Sequence, residues 1–216
     1  MVETLFVLGP SGSGKSTLSR HVVQFAKANG WRAYAISDYP LLYEMFLADT
    51  KREQFAPGDP DYGGFKVLKM RVYDTVLDEL NRQVRTIAER AEENTLVTIE
   101  FARSDYRKAL KHFNDHLLRT AHFLFLDADI ETCKRRVRER IICPRGLDDH
   151  FVPDHVIECF GQASCKHYIE SGLKLDYEIN DDRILVLDNN GPLEENAHHI
   201  EQFVDTILSF LVPVGL

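Results

Sequence analysis

The run Gly9-Pro-Ser-Gly-Ser-Gly14-Lys15-Ser16 constrains this chain more than any other feature. It follows a short apolar stretch at residues 4–8 and opens a helical pattern at residues 15–29, which Gly30 closes. A strand feeding a glycine-rich turn into a helix aims backbone N–H groups and the positive end of the helix at one point, a place for phosphate. The spacing is GxxxxGK[ST], in which Gly9, Ser11, Gly12, Ser13 and Gly14 wrap the anion. Lys15 is long enough to reach β- and γ-phosphates, the Ser16 hydroxyl is placed for Mg²⁺, and Thr17 is placed for the α-phosphate. ATP with Mg²⁺ is the expected ligand.

Four further apolar runs, at residues 32–37, 96–101, 121–127 and 183–188, alternate with helical patterns, the signature of a parallel α/β sheet. Residues 96–101, LVTIEF, are almost continuously apolar, as suits a strand covered on both faces. Between the second and third runs the sequence predicts a short helix at 40–47, a turn-rich loop at 56–64 and a helix over 65–93. In that last helix Val67, Met70, Val76, Leu80, Val84 and Ile87 recur on one face. Asp129 caps a helix reaching Arg140, a polar loop follows, and helices are expected at 154–170 and 193–211. Neither a repeat nor a linker divides the chain.

The charge balance narrows the partners. A net charge of −8 disfavours general nucleic-acid binding, which needs a basic face. No apolar run approaches the roughly 20 residues of a membrane span, and the N-terminus lacks the basic start of a signal peptide. Cys133, Cys143, Cys159 and Cys165 show no CxxC spacing, so reduced thiols and a cytoplasmic location are expected, and a zinc-held lid is not.

Three features outside the loop bear charge where a ligand crevice is expected. Asp38 ends the run at 32–37, and strand ends at the carboxyl edge of such sheets face the crevice. It is read either as a base or acceptor contact, or as a helix cap before Pro40. Glu100 sits at the tip of an otherwise apolar strand, a costly place for a carboxylate that serves no charge. Its partner is either the water shell of Mg²⁺ or the acceptor. Arg103, just beyond, either grips an acceptor phosphate or pairs with Glu100. The segment CKRRVRERIICPRG holds Arg136 and Arg140 four apart, on one helix face, with Arg145 in the following loop.

On these residues the chain resembles the P-loop kinases of nucleosides, nucleotides and related small metabolites (adenylate, guanylate, uridine and deoxynucleoside kinases). GPSGSGKST is similar to the loop of guanylate and uridine kinases. The resemblance spans nearly the whole chain and implies a P-loop NTPase sandwich, with helices on both faces of a five-stranded parallel sheet in the order 2-3-1-4-5. It also implies one domain over 1–216, with an acceptor-side insertion at about 39–93 and an arginine-rich lid at about 136–155. In such kinases the lid arginines, here Arg136, Arg140 and Arg145, meet adenine and the transferring phosphate, and an acid in the place of Asp38 serves the acceptor hydroxyl. The spacing Glu-Phe-Ala-Arg departs from both the acid-x-x-x-Arg of nucleotide kinases and the adjacent Glu-Arg of deoxynucleoside kinases.

The activity expected is transfer of the γ-phosphoryl group of ATP to a small molecule, first a nucleoside or nucleoside monophosphate. Lys15, Asp38, Glu100 and the three lid arginines would serve the chemistry. Asp38, Glu100, Arg103 and Arg71 would contact the acceptor, and Ser16 and Glu100 would hold Mg²⁺. The alternatives are a kinase of another small metabolite or of a polynucleotide 5′-hydroxyl end, and, in a different class, a non-transferring NTPase switch or nucleotide sensor.

Overall fold

The computed structural model describes residues 1–144, 146 and 149–209. The chain opens with β1 (Val2–Leu8), α1 (Lys15–Ala28), β2 (Arg32–Ser37) and α2 (Asp38–Ala48), then a hairpin of β3 (Phe55–Asp59) and β4 (Gly63–Val67). After α3 (Arg71–Arg90) come β5 (Thr95–Phe101), α4 (Tyr106–Leu110), α5 (Asp115–Thr120), β6 (His122–Asp127) and α6 (Ile130–Ile142). Three short helices, α7 (Asp154–Phe160), α8 (Ala163–His167) and α9 (Leu173–Tyr177), precede β7 (Ile184–Asp188) and α10 (Ala197–Ser209).

Alternation within β1 builds both halves of the core. Phe6 and Leu8 join one buried cluster and Leu5 and Val7 the other, and none of the four is exposed. A strand apolar on both sides must be covered on both, and parallel neighbours with crossover helices achieve this. The five strands of the larger sheet are parallel in the order β2-β5-β1-β6-β7, the expected arrangement. Phe6 lies beside Phe123 in register, their rings stacked 5.0 Å apart, and Phe113 closes on Phe6 edge-on. α3, α4, α5 and the 163–177 region cover this face, while α1 and α10 cover the other.

The insertion differs from the sequence reading. Residues 56–64 are largely strand and turn of a hairpin, with Phe55 opposite Val67 and Pro57 opposite Phe65. Pro57 and Gly58 hide the strand, because neither belongs in a sheet interior. They fit here because a Cβ at Gly58 would stand 2.3 Å from the Gly63 carbonyl, so only glycine permits the approach. The Asp59 carboxylate accepts from the N–H groups of Asp61 and Tyr62 and tightens the turn. The helix expected from residue 65 therefore starts at Arg71. The helix expected over 154–170 breaks at Gly161, where a Cβ would strike the Ile130 side chain on α6 at 2.2 Å. Residues 104–120, given no element from sequence, form α4 and α5, capped by Asp105 and Asn114.

No helix among the described residues is long and apolar enough to cross a membrane. One buried titratable group makes the fold sensitive to acid. His122 is shut inside the sheet, and burial pushes its imidazole down to about 4 from 6.5. Between these values the unfolded chain binds a proton that the folded chain refuses, so stability falls as pH falls and the loss ends near pH 4. Denaturant titrations at pH 6.5 and pH 4 should show the native chain losing roughly 2–3 kcal/mol more than His122→Gln.

Candidate functional site

The loop after β1 is held by contacts that only glycine allows. Gly9, Gly12 and Gly14 all adopt positive φ (142, 87 and 99°). A Cβ at Gly12 would meet the Cys133 carbonyl oxygen at 2.4 Å, and one at Gly9 would meet the Leu126 carbonyl oxygen at 2.6 Å. The loop is thus wedged against β6 and α6. Two side chains far away in sequence complete its frame. The Tyr106 hydroxyl accepts from the Gly9 N–H at 2.9 Å and donates to the Gly9 carbonyl at 3.2 Å. The buried Asn189 amide donates to the Ser13 carbonyl at 2.6 Å.

Of the residues expected to cradle phosphate, Ser11, Gly12, Gly14, Lys15, Ser16 and Thr17 line a cleft of about 820 Å³. Gly9 and Ser13 do not line it; their main chain is tied into the frame just described. Lys15 is buried and donates from Nζ to the Pro10 carbonyl at 2.8 Å. Burial lowers its ammonium below the usual lysine range, while the Glu100 and Asp38 carboxylates push it back up.

Parallel register places Glu100 opposite Ser37 on β2 and Val7 on β1, at the carboxyl edge of the sheet. Its carboxylate accepts from the Ser16 hydroxyl at 2.7 Å and from the Ser19 hydroxyl at 3.4 Å. A hydroxyl beside a carboxylate is a pair of hard oxygen donors and fits Mg²⁺, which keeps most of its waters and takes few protein ligands. Arg103 pairs with Asp38, not with Glu100. Asp38 is the first residue of α2, and Ser37 holds the cap position, so Asp38 is not that helix's cap. The guanidinium of Arg103 also donates to the carbonyls of Ala102 (2.6 Å) and Tyr73 (3.4 Å), and it lies 4.8 Å from the centre of the Tyr73 ring. Its Nε is buried without a hydrogen-bond partner among the described residues.

Asp38, Glu100, Arg103, Arg136 and Arg140 all line the same cleft as the loop. Arg136 grips the carbonyls of Asn189 and Gly191, each at 2.7 Å, and so fastens the loop after β7 to α6. Arg140 donates to the His150 carbonyl at 2.9 Å. Arg145 lies outside the described residues. Arg71 is exposed on the first turn of α3 and does not line the cleft, so the structure does not bring it to the site. The described wall carries six Lys and Arg against three Asp and Glu, an inversion of the chain's net charge of −8 that suits an anionic ligand.

The cleft wall also carries apolar side chains. Leu42, Phe65, Val67, Tyr73, Val152 and Phe160 line it, as does the segment from Asp149 to Pro153. His150 stacks on Tyr39 at 3.4 Å with planes 3° apart, and Phe151 packs 5.2 Å from Tyr62. Phe46 and Phe55 turn away into a small core with Val72 and Val76. Sequence reasoning missed Tyr106 and Asn189, whose only local sign was the Asn-Asn-Gly turn after β7, and it missed the Tyr39–His150 stack.

The chain belongs to the AAA domain family, whose model matches residues 5–160. No curated protein matches it. Its fold, a five-stranded parallel sheet with helices on both faces, is shared with several solved structures. A sugar kinase of Janibacter sp. HTCC2649, in an unliganded structure, superposes with a TM-score of 0.51 at 22% identity, covering 97% of this chain and 95% of that one. A gluconokinase of Sinorhizobium meliloti 1021 gives 0.52 at 16% identity, with 96% and 94% covered. The APS kinase CysC of Mycobacterium tuberculosis, in complex with AMPPNP and APS, gives 0.53 at 18% identity, with 94% and 97% covered.

The frame behind the loop is open to test. Tyr106→Phe keeps the ring's packing but strands the N–H and carbonyl of Gly9 in a buried site. Denaturant unfolding should show a loss of about 1–3 kcal/mol, and calorimetry should show weaker ATP binding.

Proposed function

We propose that this chain is an ATP-dependent phosphotransferase whose acceptor is a small hydroxyl-bearing molecule, with nucleosides and nucleoside monophosphates first among the classes to try. The observation that carries this reading is continuity. One cleft joins a glycine-rich loop to a carboxylate, Asp38, that is paired with an arginine and shares the wall with apolar side chains. An NTPase that only releases phosphate to water has no use for so extended a wall. The kinases with the same fold support the reading, since their names specify a sugar, gluconate and APS as what they act on.

In this reading the N–H groups from Ser11 to Ser16, with Lys15 and Arg140, hold the donor's phosphates and stabilise charge on the group in flight. Ser16 and Glu100 hold Mg²⁺, which neutralises phosphate oxygens when bound. Arg103 fixes the orientation of Asp38, and Asp38 takes the proton of the acceptor hydroxyl as its oxygen closes on the γ-phosphorus. Transfer of this kind needs little covalent help from the protein, so positioning and water exclusion supply most of the acceleration.

ADP formation from ATP and Mg²⁺, measured with nucleosides, monophosphates, sugars and oligonucleotides in turn, tests the reading. A small-molecule acceptor should stimulate turnover. Hydrolysis indifferent to every acceptor would make the chain an NTPase switch, and stimulation by oligonucleotide ends alone would make it a polynucleotide kinase. Asp38→Asn should lower kcat about 10²- to 10⁴-fold while ATP affinity is kept. Its unfolding midpoint should be followed alongside, because removing one partner of a buried ion pair costs about 3–5 kcal/mol.

A further inference from the structure

One peptide of the glycine-rich loop takes its orientation from the far end of the chain. The Ser13 carbonyl accepts from the Asn189 amide at 2.6 Å. In a planar trans peptide the C=O and N–H point in opposite directions, so this tie turns the Gly14 N–H away from Asn189. A phosphate nest needs its N–H groups turned inward together, and one carbonyl turned inward instead repels the anion. Gly14, which lines the cleft, has φ at 99°. Glycine accepts either sign of φ, so no side chain on Gly14 stops the Ser13–Gly14 peptide from turning over. The tie to Asn189 does.

Asn189 is itself fixed on every side. It is 2% exposed, its own N–H donates to the Asp127 carbonyl at 2.7 Å, and its side-chain oxygen accepts from the Asn196 amide at 3.5 Å. A carbonyl only accepts, so the NH₂ end of the Asn189 amide is the end that faces Ser13. That nitrogen stands 2.8 Å from where a Cβ on Gly14 would be, in contact with the peptide it holds. Behind it, the partly buried Arg136 forks across the carbonyls of Asn189 and Gly191, each at 2.7 Å. α6 therefore holds the loop after β7, and that loop holds the glycine-rich loop.

Resting on the nucleotide-binding part of the reading above, we infer that Asn189, with Arg136 behind it, is a positioning residue for the donor's phosphates. The pair keeps the Ser13–Gly14 peptide turned with its N–H toward the phosphate chain. Arg136 acts through the main chain of the loop after β7 and not by touching the group in flight. Its effect falls on the phosphates of the donor and not on the base.

Calorimetry in the presence of Mg²⁺ compares ATP with inorganic tripolyphosphate, which has no base, on the native chain, Asn189→Ala and Arg136→Lys. Loss of one charge-assisted contact should weaken both ligands about 10- to 100-fold in Asn189→Ala. Arg136→Lys keeps the charge but not the fork, and should weaken both about 3- to 10-fold. ATP weakened with tripolyphosphate unchanged would mean that the loop after β7 serves only the nucleoside, and overturns the inference, as does no change in either ligand. A crystal structure of Asn189→Ala should show the Ser13 carbonyl turned from its native direction, and a single native orientation overturns the inference too. Should Asn189→Ala fail to fold, Arg136→Lys decides by the same comparison. These readings need no turnover, so a chain that transfers phosphate to no acceptor loses the kinase reading and still answers this test. Where transfer is found, Arg136→Lys should raise the KM for ATP and leave kcat within about 3-fold. A kcat about 100-fold lower with ATP affinity kept would place Arg136 on the transferring phosphate and overturn its role here.

Discussion

Burying an ammonium group is the constraint around which this molecule is organised. Lys15 sits inside the protein with its charge below the usual lysine range because burial disfavours it, and the carboxylates of Glu100 and Asp38 oppose that effect. Those carboxylates come from two different strand ends, so β2 and β5 must finish level with β1. The loop that carries Lys15 can approach β6 and α6 as closely as it does only because Gly9 and Gly12 lack side chains. The sheet order, the loop conformation and the site electrostatics are therefore one problem with one solution.

The Asp38–Arg103 pair extends that solution along the cleft wall. It joins the start of α2 to the segment after β5, and through the Tyr73 carbonyl and ring it reaches α3. Through this pair and the main-chain carbonyls the guanidinium fixes the carboxylate in place. Arg136 works the same way at the other end, holding the loop after β7 by its carbonyls. Arginine here is a structural clamp, a use that its fixed fork of donors suits.

The glycine-rich loop and the five parallel strands were legible in the sequence because their signals are local. A glycine-rich turn has a fixed spacing, and strands buried on both faces read as apolar runs. Glu100 was legible because a charge near the end of an apolar strand is conspicuous, and Asp38 because it directly follows the run at 32–37. What escaped is long-range. The ties from Tyr106 to Gly9 and from Asn189 to Ser13 join residues 97 and 176 positions apart, which no local pattern announces. Helical spacing correctly set Arg136 and Arg140 on one face, yet spacing names a face and not a partner. The β3–β4 hairpin was concealed by Pro57 and Gly58, and its place in the cleft wall depends on packing against residues 149–153.

The central claim is that the loop and the Asp38 pocket are two halves of one transfer site. A single-turnover experiment with ATP labelled in its γ-phosphoryl group, run with Mg²⁺ and a hydroxyl-bearing acceptor, tests it most directly. The account predicts that the label appears as a phosphate ester of the acceptor, at a rate that collapses in Asp38→Asn while labelled ATP still binds. Label released as inorganic phosphate, equally fast with and without acceptor and with or without the Asp38 carboxylate, would contradict it.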